Sequence, residues 1–139
     1  MRAFIDTSTL FKKYVNESGS EEFDQLLESI SEIILSPVTV LEVNSIIERR
    51  LRDKTIEKQD ALWIEKEFTY DLNYFGIIKF EDKLLQMSIR VIRRYQLKVL
   101  DGIQLASAII SKPDIVLISD RKLYTAAKEE LPDVRIEKI

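Results

Sequence analysis

Residues 114–127, DIVLISDRKLYTAA, set an apolar run, an acid and a helical pattern in immediate succession. Residues 115–118 are Ile, Val, Leu and Ile, the composition of a strand covered on both faces of a parallel sheet. Asp120 stands just beyond the run. From Arg121 onward Leu123, Ala126 and Ala127 recur at helical spacing, which predicts a helix to about residue 131. The chain opens in the same way. MRAFIDTST, residues 1–9, predicts a strand over 3–5, then Asp6, then a helix over 8–14.

Between these two units, short apolar runs alternate with longer helical patterns. Helices are expected over 20–31, over 37–52 with Pro37 in the first turn, and from a Thr55 cap to about residue 74. Two more are expected over 81–95 and 100–111, the latter closed by Pro113. Strands are expected over 33–35, over 77–79 after the break at Gly76, and over 134–136. Strands separated by helices imply a three-layer α/β/α fold with a mostly parallel sheet, in one domain spanning residues 1–139.

Composition narrows the chemistry. Of 139 residues 45% are hydrophobic and 32% charged, the balance of a globular protein with a real core. There is no histidine and no cysteine. That removes a Ser-His-Asp or Cys-His relay, a His/Cys zinc site and a disulfide framework. No apolar run reaches the ~20 residues of a membrane span, and no signal-peptide pattern precedes the first strand, so a cytoplasmic protein with no membrane partner is expected.

The remaining tools for catalysis near neutral pH are carboxylates holding a hard cation. In an open parallel sheet, ligands bind beyond the carboxyl ends of the strands, which puts Asp6 and Asp120 at one edge. Either acid also suits a helix N-cap, though Thr7, Ser8 and Thr9 offer to share that work beside Asp6. Glu42 lies on an apolar stripe with Val38 and Ile46, and Asp101 on one with Leu97 and Leu105. A carboxylate among aliphatics is costly unless compensated. Lys98 is the ordinary partner for Asp101, whereas a bound cation would satisfy all four acids together. Four acids around Mg²⁺ or Mn²⁺ suit phosphodiester hydrolysis, with Ser8 orienting a water or a phosphate oxygen.

Four stretches carry a family resemblance: FIDTSTL (4–10), SPVTVLEV (36–43), RRYQLKVLDGIQLASA (93–108) and VLISDRKLYTAA (116–127). In that order and spacing the chain resembles the PIN-domain ribonucleases, most closely the VapC-type toxins of toxin–antitoxin pairs. The resemblance implies a Mg²⁺- or Mn²⁺-dependent endoribonuclease with Asp6, Glu42, Asp101 and Asp120 as its acidic quartet and Ser8 as polar helper. It also implies a homodimer and a small antitoxin whose tail blocks the site. One departure is visible: the hydroxyl often found two residues before the fourth acid is replaced by Ile118, with Ser119 next to it. Adjacent strand residues point to opposite faces, which questions Ser119 as a substitute.

Competing readings are weaker. FIDTST superficially resembles the strand-end motif of haloacid-dehalogenase phosphatases, but Ser8 stands where the second aspartate is needed. A response-regulator receiver needs adjacent acids after its first strand, and Ile5 precedes Asp6. The third alternative is a catalytically inactive PIN-like interaction module using Trp63, Phe68, Tyr70, Tyr74, Phe75 and Phe80. These aromatics, at helical spacing, are expected to face the core. An interaction module has no reason to keep all four acids. The net charge of −3 hides two basic segments, from which Arg49, Arg50, Arg93 and Arg94 are expected to contact the phosphates of single-stranded or loop RNA.

Overall fold

The structure, a computed structural model, describes residues 1–139. In chain order the elements are β1 (Arg2–Ile5), α1 (Thr7–Phe11), α2 (Ser20–Leu27), β2 (Glu32–Leu35), α3 (Thr39–Arg52) and α4 (Lys58–Asp71). They continue with β3 (Gly76–Ile77), α5 (Asp82–Tyr95), α6 (Val99–Ser111), β4 (Ile115–Ile118), α7 (Arg121–Glu130) and β5 (Arg135–Lys138). Five strands form one sheet in the order β3-β2-β1-β4-β5, and every neighbouring pair is parallel.

The two-residue side-chain period of a strand divides the core. Ala3 and Ile5 of β1, Leu35 of β2, and Ile115 and Leu117 of β4 pack with Leu10, Phe11, Val43, Ile64 and Phe68 from α1, α3 and α4. Phe4, Ile34, Val116 and Ile118 pack on the opposite face with Leu84, Val91, Leu105 and Leu123 from α5, α6 and α7. Burying one such Leu or Ile side chain contributes about 1.5–3 kcal/mol. The expected three layers are therefore present, and the sheet is parallel throughout.

Topology places the candidate site. From β1 the chain moves to β2 and β3 on one side, then crosses to β4 on the other. The carboxyl ends of β1 and β4 flank the point where the winding reverses, the usual crevice for ligands in open α/β sheets. Asp6 and Ser119 stand directly beyond these two ends.

Several local expectations are corrected. Thr55 does not cap α4: its hydroxyl donates back to the Arg50 carbonyl, and the helix begins three residues later. There the Asp60 carboxylate accepts from the Glu57 N–H at 2.9 Å, satisfying the chain entry instead. Pro37 lies in a turn ahead of α3, which starts at Thr39. The aromatics of the α4 region do not all face inward. Ala61, Ile64 and Phe68 form the buried stripe of α4, which leaves Trp63, Tyr70, Tyr74 and Phe80 exposed. Tyr70 and Tyr74, one turn apart in sequence, rest against each other with ring centroids 5.5 Å apart.

Candidate active site

Asp6 is the most constrained of the four acids. Its Oδ1 accepts from the Thr9 N–H at 2.8 Å, so it caps α1 itself and does not leave that work to the neighbouring hydroxyls. Its Oδ2 accepts from the Ser119 N–H at 3.2 Å, tying the end of β1 to the end of β4. Only 4% of the residue is exposed. Burial pushes its carboxyl up from 3.8 to about 6; the bonds from Thr9 and Ser119 oppose the rise, and the negative charge of Glu42 adds to it.

Glu42 projects from the first turn of α3 and is half-buried. Its Oε1 accepts from the Thr7 hydroxyl at 2.9 Å and from the Gln104 amide at 2.7 Å. The same amide nitrogen lies 2.9 Å from the Thr7 hydroxyl and 3.2 Å from that of Thr39. With three oxygens around it, that end of Gln104 must be the NH₂, because a flipped amide would set oxygen against carboxylate. The other end, Oε1, is buried without a partner. An unsatisfied buried acceptor costs about 1–3 kcal/mol.

Asp101 sits in the first turn of α6 and is half-buried, while Asp120 is exposed and caps α7 by accepting from Leu123 N–H at 2.7 Å. Burial first, then the charge of Asp120, raises the Asp101 carboxyl; Lys98 and Lys122 pull it down. Lys98 acts only through space, with no ion pair formed, so the expected ordinary partner does not neutralise Asp101. The backbone around Asp101 is held tightly. α5 ends at Gln96 in the left-handed conformation, φ 55°, and the Lys122 ammonium donates to the Gln96 carbonyl at 2.8 Å. Next to Asp101, Gly102 lets α5 approach: a Cβ there would stand 2.2 Å from Cγ1 of Ile92.

The electrostatics thus couple Asp6 with Glu42 and Asp101 with Asp120. No three acids converge closely enough to hold one ion jointly. The donor set nevertheless fits magnesium or manganese. All of its donors are oxygens, none of the four acids enters an ion pair, and a buried carboxylate stands without a positive partner. Magnesium takes one or two carboxylates directly and keeps waters for the rest, so a threefold cluster is not required.

Ser8 is exposed and lines a hollow of about 400 Å³ with Thr7, Leu41, Glu42, Ser45, Arg49 and Leu100 among others. A second hollow, of about 550 Å³, lies on the Asp120 side and includes Arg121 and Lys122. Of the four arginines expected at RNA, Arg49 lies at the first hollow beside Glu42, and Arg93 is exposed on α5. Arg50 is bonded to Glu17 at 2.9 Å and stacked over Phe11; Arg94 pairs with Glu129 and Glu130. Ser119 lies beyond the end of β4, its hydroxyl bonded to that of Thr9 at 2.8 Å.

Sequence reasoning names Lys98 beside Asp101 but passes over Thr7, Thr39 and Gln104 as site residues, and Lys122 as a second cation facing Asp101. A signal existed: Thr39 precedes Glu42 by three, and Gln104 follows Asp101 by three, so each shares a helix face with its acid.

Comparison with known proteins agrees with this fold. A family model described as the PIN domain matches residues 3–129. No curated protein matches the sequence significantly. Among solved structures, the chain is similar to one of a toxin–antitoxin complex from Klebsiella pneumoniae, with 22% identity, 99% of both chains covered and a TM-score of 0.68. FitAB bound to an IR36 DNA fragment aligns at 19% identity over 98% of this chain and 94% of that one, TM-score 0.73. VapBC2 from Rickettsia felis, bound to a promoter DNA fragment, aligns at 13% identity over 100% and 99%, TM-score 0.68. At these identities the likeness is one of fold.

Proposed function

The chain belongs to the PIN-domain family, and from that premise we propose that it is a Mg²⁺- or Mn²⁺-dependent endoribonuclease, the toxin of a toxin–antitoxin pair. The observation that carries the reading is Asp6: a buried carboxylate at the strand-end crevice, raised by burial and by Glu42, with no positive partner. A divalent cation there removes the conflict and supplies the chemistry, lowering the pKa of a bound water and neutralising charge that develops on the phosphate.

Asp6, Glu42, Asp101 and Asp120 would hold the cation in this reading, some of them directly and the rest through water. Asp6 is kept in place by the N–H groups of Thr9 and Ser119, and Asp120 by that of Leu123, so their orientations are set before substrate arrives. Exposed Ser8 orients a water or phosphate oxygen from the rim. Arg49 on one side, and Lys98 with Lys122 on the other, offset the repulsion between phosphates and acids, and Arg93 extends that contact along α5. A single strand reaches such a site more readily than a duplex.

The neighbour described as a toxin–antitoxin complex supports an antitoxin partner, and a homodimer belongs to the same reading. No helix is long and apolar enough to cross a membrane. The exposed Trp63, Tyr70, Tyr74 and Phe80 favour a second reading, an inactive interaction module, although such a module does not need Asp6 buried at a cost.

The test is cleavage of end-labelled single-stranded RNA by the purified chain with Mn²⁺, with EDTA, and with Asp6→Asn. Attack by a metal-activated water leaves no 2′,3′-cyclic phosphate, unlike attack by the RNA's own 2′-hydroxyl. Metal-dependent cleavage lost in Asp6→Asn supports the nuclease. An intact chain, free of partners, that leaves RNA uncut supports the interaction module.

A further inference from the structure

Gln104 stands outside the acidic quartet yet meets it directly. The residue is 3% exposed, in the middle of an otherwise largely apolar helix. Its amide nitrogen donates to Oε1 of Glu42 at 2.7 Å, and the Thr7 hydroxyl donates to the same oxygen at 2.9 Å. The second carboxylate oxygen, Oε2, accepts from no protein donor. The acceptor end of Gln104 is buried and unpartnered. Packing alone does not account for such a residue, since a methionine of similar volume fills the space with no polar atom left unmet.

We propose that Gln104 is the positioning residue of the metal centre, binding one oxygen of Glu42 so that the other is left for a divalent cation. This rests on the metal-dependent reading above and adds to it a residue outside the four acids. Thr7 shares the work, and Thr39 lies 3.2 Å from the amide as its third neighbour. A ligand held from behind by a fixed donor loses less freedom when the cation arrives, which is how residues behind a ligand raise metal affinity.

The test is calorimetric titration of the full chain with Mn²⁺, for wild type, Gln104→Met and Gln104→Asn. Methionine removes both the donor and the orphaned acceptor; asparagine keeps an amide but withdraws it by one carbon. Thermal unfolding in EDTA is measured in parallel. Positioning predicts a Kd weakened about 10- to 100-fold in both variants. It also predicts that Gln104→Met in EDTA stays close to wild type in stability, because removing the unmet acceptor offsets the hydrogen bonds given up to Glu42 and Thr7. If methionine does not fold, asparagine still reads the affinity. An unchanged Mn²⁺ affinity in a folded variant overturns the proposal while the metal-dependent reading stands. Affinity and EDTA stability falling together in Gln104→Met also overturns it, as a purely structural role. A wild type that binds no Mn²⁺ overturns the parent reading, and the proposal with it.

Discussion

Ser119 donates its backbone N–H to Oδ2 of Asp6 at 3.2 Å, joining residues 113 positions apart and fastening the ends of β1 and β4 together. The bond orients the carboxylate without neutralising it. Asp6 is therefore a charge the fold has buried and partly hydrogen-bonded but not paired, and that unpaired charge has measurable consequences.

The first is a pH dependence of stability. With its folded-state pKa at about 6, above 3.8 for the unfolded chain, Asp6 binds its proton more tightly when folded. Its contribution is fully present below about pH 4 and is lost as pH rises through 6, by about 3 kcal/mol in total. Asp6→Asn cannot titrate. In EDTA, urea midpoints of the wild type should fall between about pH 4 and 7 relative to those of Asp6→Asn. Parallel pH profiles for the two proteins would contradict this.

A cation reverses that penalty. At pH 7.5, Mn²⁺ at about a hundred times its Kd should raise stability by about 2.7 kcal/mol over the EDTA form. Near pH 4.5, where Asp6 holds its proton, the gain should shrink toward zero. Thermal melts in Mn²⁺ and EDTA at the two pH values check it.

Gly102 should tolerate no side chain. An alanine Cβ would press on both Cγ1 and Cδ1 of Ile92, at 2.2 and 2.8 Å. Overpacking of this kind costs about 1–3 kcal/mol, and it would part α5 from α6 beside Asp101. Gly102→Ala should lower the unfolding free energy from urea titration by that amount, and adding Ile92→Ala should recover part of it.

Arg49 and Arg50, adjacent in sequence, should behave differently. Arg50 is tied to Glu17 and Phe11, so Arg50→Ala should cost about 1 kcal/mol of stability. Arg49 makes no ion pair and borders the Glu42 hollow. Arg49→Ala should weaken RNA binding and reduce the salt slope by about 0.7, as for one lost contact to a single strand. Filter binding across a salt series separates the two.

Much of this was legible in the chain. The runs at residues 3–5 and 115–118, each with an acid just beyond, contain both the parallel sheet and the edge at which the candidate site lies. Glu42 and Asp101 stand out as candidates because a carboxylate on an apolar stripe contradicts its neighbours. What stayed hidden depends on contacts between distant segments. The Thr7–Thr39–Gln104 network links α1, α3 and α6, and no local pattern states which helices will meet. The exposed aromatics of α4 were misjudged because helical spacing reveals a stripe but not which of two stripes packs; Ala61, Ile64 and Phe68 compete for the same face and take it. The Thr55 cap failed because Asp60, by accepting from the Glu57 N–H, satisfies the helix entry two residues further on.

The most direct measurement is calorimetric titration of the wild-type chain and of Asp6→Asn with Mn²⁺ at pH 7.5. If the unpaired charge of Asp6 marks a divalent-cation site, the wild type binds Mn²⁺ saturably and Asp6→Asn loses most of that affinity. Equal binding by both proteins, or none by the wild type, would contradict a metal centre at Asp6 and leave its carboxylate as a helix cap alone.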